Sequence, residues 1–142
     1  MILFENSILK LNYNPGTDIL EIRYPDLQDF LLLEIKHSID RAVEIIKNYD
    51  IKKVLLDSRE MTSSVSEEAG RDIAIYLAGG LMKTRVTMVA RIQSVDDTIE
   101  KRAKGNVSHL KANLSLPFKL ETFTLKDDAI DWLKNEQPDN EG

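Results

Sequence analysis

Three consecutive apolar residues, Val54, Leu55 and Leu56, end at Asp57 and give way to a hydroxyl-rich loop that opens into a helical pattern. The run is too short for a helix, and neighbouring strand residues point to opposite faces, so an unbroken apolar strand implies cover on both sides. This is a buried strand. Ser63, Ser64 and Ser66 then precede Glu67 and Glu68, the order of a helix start: a hydroxyl accepts from free backbone N–H groups, and carboxylates suit the positive end of the dipole. A strand, a polar loop and a helix in succession constrain the chain to an α/β arrangement.

The flanking segments fit that constraint. Leu9, Leu11 and Tyr13 alternate with polar residues, as do Leu20, Ile22 and Tyr24, which predicts two half-buried strands. Asn14, Pro15, Gly16 and Thr17 between them predict a tight turn, with proline fixing one backbone angle and glycine taking a positive one. An antiparallel hairpin follows. Ile35, Ile39, Ala42, Val43 and Ile46 recur at helical spacing and predict a helix that starts between residues 29 and 34 and ends near Tyr49. A second helix is expected from about Ser66 to Lys83, where Gly79 and Gly80 either permit close packing or end it early. Residues 85–92 predict a strand with Val86, Met88, Ala90 and Ile92 on one face and Arg85, Thr87 and Arg91 on a polar one. Ser94 or Asp96 caps a third helix with Ile99, Ala103, Val107 and Leu110 inward. A last strand over 119–125 and a last helix over 127–136 complete the pattern.

The expected fold is α/β: a mixed sheet of about five strands, an N-terminal antiparallel hairpin followed by parallel strands joined by right-handed helical crossovers, with four helices mostly on one face. Alternation in three strands predicts that the opposite face is partly open. Residues 1–136 read as a single domain and 137–142 as a polar tail. At 142 residues, with 42% hydrophobic and 30% charged, the chain can bury a substantial core. The formal net charge of -5 argues against a nucleic-acid or anionic-membrane surface. The absence of cysteine removes disulfides, thiolate catalysis and cysteine-ligated metal. No apolar run is long enough to cross a bilayer and the first residues lack a signal-peptide pattern, so a cytoplasmic location without stable membrane insertion is expected.

The strand ending at Asp57, the RVTMVA segment at residues 85–90 and the closing helix with Ala129, Trp132 and Leu133 together resemble the SpoIIAA-like (STAS/SEC14 domain) proteins, related to anti-sigma factor antagonists. The resemblance implies a non-enzymatic regulatory protein-interaction module, and brings Ser66 onto the serine that a partner kinase phosphorylates in that family. Val65, Glu67 and Glu68 depart from the family's aspartate, hydroxyl residue and glycine, and two carboxylates beside Ser66 repel a phosphate. Ser66 therefore reads first as a helix cap. The SEC14 side of the resemblance implies the alternative, a small apolar ligand or lipid.

In open α/β sheets ligands favour the crevice beyond the carboxyl ends of the strands. That edge gives the candidate binding residues Asp57, Arg59, Ser63, Ser64, Ser66, Glu67, Ser94 and Asp96, with Ser66 as the candidate phosphoacceptor. Phe30, Leu31 and Met61 are expected around an apolar cavity or lip. His37 and His109 lack metal-ligand spacing, no G-x-S-x-G elbow exists, and Lys101, Arg102 and Lys104 with Glu100 read as a solvated face. No catalytic residue, metal or cofactor is assigned. A protein partner, a small apolar ligand and a symmetric homodimer are the expected associations.

Overall fold

A computed structural model describes residues 1–27, 30–61 and 65–135. Ser63, Ser64 and the expected 137–142 tail lie outside the described residues. Six strands form one sheet in sequence order: β1 (Ile2–Glu5), β2 (Lys10–Asn14), β3 (Ile19–Arg23), β4 (Lys53–Asp57), β5 (Met88–Ile92) and β6 (Lys119–Phe123). β1, β2 and β3 pair antiparallel, and β3 to β6 pair parallel. The helices are α1 (Leu32–Asn48), α2 (Glu67–Leu81), α3 (Asp97–Asn113) and α4 (Lys126–Asn135). Each parallel connection advances one position across the sheet, which places α1, α2 and α3 on one face.

The sixth strand, β1, adds to the expected count. It is a short outer strand whose pairing with β2 shifts register between Ile2 and Phe4, a bulge of the kind that blunts sheet edges. The hairpin turn also differs from expectation. Asp18, not Gly16, takes the positive φ, at 59°. Aspartate tolerates that conformation when its carboxylate is tied down, and here it accepts from the Tyr13 hydroxyl at 2.8 Å and from the Lys52 N–H at 3.3 Å.

The sheet separates two cores. On one face, Leu11, Leu20, Ile22, Val54, Leu56, Val89 and Leu120 meet the α1–α3 layer. On the other, Ile19, Leu55, Met88, Ala90 and Ile92 meet Ala129 and Leu133 of α4. The alternation thus assigns β5 differently from expectation: Val86 joins the first core, and Arg91 points under helices instead of to an open polar surface. α4 covers the parallel half of the second face, whereas Asn12 and Asn14 of the hairpin remain exposed there. Helical cover is therefore unequal but present on both sides.

Within the three-helix layer, α1 and α2 approach closely at Gly80. A Cβ built there would lie 2.7 Å from Val43 Cγ2, so this glycine serves close packing while α2 continues to Leu81. Polar links join the layer laterally. The Tyr76 hydroxyl donates to Asp40 at 2.6 Å, Lys36 meets Asp72 at 3.3 Å, and Arg71 donates to Asn106 at 3.2 Å.

Candidate ligand site

The lateral ties hold the helices to one another more fully than to the sheet. Ile35, Ile39, Ala42, Ile45 and Ile46 of α1 are buried, but in α2 only Ala78 and Leu81, near its end, are buried. Ile73, Ala74 and Leu77 earlier in α2, and Ala103 and Val107 in α3, are half-buried and face a cavity of about 200 Å³. Its floor is Ile22, Leu56, Val89 and Leu120 of the sheet. Exposed Ser66, Glu67 and Arg102 are also among its walls, so it reaches solvent between the first turns of α2 and α3.

Register builds the polar end of this cavity. Ile22 is opposite Leu56, and Leu56 is opposite Arg91; two residues on, Tyr24 and Ser58 follow on the same face. The Tyr24 and Ser58 hydroxyls are 2.7 Å apart, and burial pushes the Tyr24 phenol above its ordinary value. Arg91 points its Nη1 and Nη2 at Glu100 Oε2 and Oε1, at 2.9 and 2.8 Å, and Ser94 N–H donates to the same carboxylate at 2.9 Å. Both members of this pair are buried. Burial alone would raise the Glu100 carboxyl, but Arg91 and the Ser94 N–H outweigh it and hold the carboxyl below its usual value. Glu100 is therefore not part of a solvated face, as expected above, but ties α3 to β5.

The expected site residues divide between the cavity wall and places outside it. Met61, Ser66, Glu67 and Ser94 line the cavity. Ser66 Oγ accepts from Ala69 N at 3.1 Å as the α2 cap, and Ser94 Oγ donates to the Met61 carbonyl at 2.6 Å. Asp96 caps α3 by accepting from Ile99 N at 3.1 Å. Asp57 and Arg59 lie away from the cavity. Buried Asp57 accepts from Arg59 Nε at 2.9 Å and Nη2 at 2.7 Å, and Arg23 Nε lies 3.7 Å from its Oδ2. Phe30 packs against the core without lining the cavity, and Leu31, 70% exposed, does not line it either. Tyr24, Ser58, Arg91 and Glu100 are the site residues that sequence reasoning passed over. The signal for three of them was register: each stands at the end of a strand on the face shared with Ile22, Leu56 or Val89.

Among the described residues no cluster of three or more histidine, aspartate or glutamate side chains could hold a metal ion, and no helix is long and apolar enough to cross a membrane. The arrangement defines a class: a mixed α/β domain with a largely aliphatic chamber under its helical layer and a charge-neutral polar end. No protein-family model and no curated protein matches the chain. Among solved structures, the chain is similar to one in the crystal structure of diguanylate cyclase SiaD in complex with its activator SiaC from Pseudomonas aeruginosa. The two are 15% identical, with 87% of this chain and 99% of that one covered and a TM-score of 0.40.

Proposed function

We propose that this protein is a non-enzymatic, STAS-like binding module that takes a small apolar molecule into the chamber between its sheet and the α1–α3 layer. The observation that carries the reading is the half-buried aliphatic stripe of Ile73, Ala74, Leu77 and Val107 around about 200 Å³ of space. Ligand sites are concave, mainly apolar and supplied with few polar groups, and aliphatic cavities of about 150 Å³ stay dry and admit small hydrocarbons. Its titratable neighbours support binding over chemistry, since Arg91 and Glu100 are engaged with each other.

A second reading, a regulatory protein-interaction module resembling the anti-sigma antagonists, is favoured by exposed Leu33 and Val95 near the strand ends. It would use the α2 entry without a phosphate at Ser66, because that hydroxyl already caps the helix and Glu67 and Glu68 follow it.

The test is saturable uptake of the uncharged fluorophore N-phenyl-1-naphthylamine. One molecule per chain is expected, with binding reduced roughly tenfold or more in Ala74→Leu, whose added side chain occupies the chamber. Absence of saturable uptake, with Ala74→Leu indistinguishable from the parent, overturns the ligand reading.

A further inference from the structure

Resting on that reading, we infer that the chamber selects an uncharged amphipathic ligand: an aliphatic chain ending in a hydroxyl or carbonyl oxygen that meets the Tyr24 and Ser58 hydroxyls. Two hydroxyls in contact share one proton, so one O–H remains to be satisfied. Among the described residues no hydrogen bond from either hydroxyl to a second acceptor is seen, although Ser58 is only 3% exposed, Tyr24 is half-buried and both residues line the cavity. Buried donors without partners are rare and costly. A ligand oxygen at this position would complete the pair, and a ligand hydroxyl could also donate to one of the remaining lone pairs.

Charge excludes the acidic version of the same molecule. A fatty carboxylate would need a cation at the polar end, and the cation there is Arg91. Its two terminal nitrogens already face the two oxygens of Glu100, while Nη1 also donates to Thr122 Oγ1 at 3.3 Å. A second carboxylate would bring two anions onto one buried guanidinium whose charge Glu100 already balances. At the mouth Glu67 and Arg102 both stand among the walls, so a reversed anion meets no net positive charge there. Tyr24 remains a protonated donor, as burial makes the phenolate unfavourable.

Isothermal titration with 1-decanol, decanoate at pH 8 and decanal separates the outcomes. Decanol and decanal are expected to bind at least roughly tenfold tighter than decanoate, the scale of one buried hydrogen bond together with the avoided charge. Tyr24→Phe is expected to weaken decanol about tenfold, a larger loss than it causes for N-phenyl-1-naphthylamine. Uptake of the fluorophore with decanoate binding as tightly as decanol, or with Tyr24→Phe affecting neither, overturns the inference and leaves the ligand site standing. Failure of every probe overturns the site itself. Ser58→Ala provides a second arm, since it removes the other hydroxyl and is expected to reproduce the selective loss.

Discussion

The two faces of the sheet bury similar side chains under different roofs. Beneath α4, Leu55, Met88, Ala90, Ile92, Ala129 and Leu133 are all fully buried, and Phe123 and Trp132 close the margin with ring centroids 5.6 Å apart. Beneath α1, α2 and α3 the core is equally tight around Leu11, Leu20, Ile46 and Leu81, but it opens where the middle of α2 and α3 should descend. A single helix with nothing beside it settles onto the sheet. Three helices tied to one another must also satisfy their mutual contacts, and the close approach at Gly80 and the Tyr76–Asp40 link constrain the layer's shape alongside the sheet.

The Arg91–Glu100 pair is where this comparison breaks most heavily. It is the polar strut between the standing-off layer and the sheet, and removing one partner leaves the other charged in a buried place. Arg91→Ala is expected to cost about 3–5 kcal/mol in chemical unfolding. The pH dependence gives the sign. In the parent, Glu100 is held below its unfolded value, so its stabilisation is present above the unfolded carboxyl pKa and is lost as pH falls through the folded one. In Arg91→Ala the remaining burial raises Glu100, so the difference from the parent should shrink as pH is lowered from 7 toward 4. A constant difference across that range would remove the pair from its proposed role.

Equal truncations on the two faces sharpen the contrast. Leu133→Ala empties a fully buried position under α4 and is expected to cost about 3 kcal/mol. Leu77→Ala removes the same atoms from a chamber wall that is already half-buried, and should cost about 1 kcal/mol. Urea midpoints read both changes. Equal losses would mean that the space beside Leu77 is packed as tightly as that around Leu133.

Much of this architecture was legible in the residues, and the failures share a cause. The strand at Lys53–Asp57 and the N-terminal hairpin followed from apolar runs and alternation, because those patterns report which residues share a face. They do not report what covers the face. Arg91 therefore read as solvent-facing when its charge is met by Glu100, nine residues away on a helix face that itself read as solvated. Val107 read as part of an ordinary inward helical stripe, since a stripe lining a chamber and one pressed onto a sheet have the same spacing. The short strand Ile2–Glu5 carries too few residues and too irregular a register to be separated from a polar N-terminus by period alone. Gly80 announced close packing without naming its neighbour.

That neighbour supplies the smallest test. Gly80→Ala should gain about 1 kcal/mol of helix propensity and lose about 1–3 kcal/mol by forcing Val43 away, a modest net destabilisation. Val43 is β-branched and stiff at χ1, so it cannot rotate aside cheaply. In a Val43→Ala background the obstruction is gone, and the same Gly80→Ala change should become stabilising. The sign reversal in a double-mutant cycle isolates the helix–helix contact from the helix's own preference. If the sign does not reverse, the α1–α2 approach does not set the height of the roof, and the chamber must be held open by the lateral polar links alone.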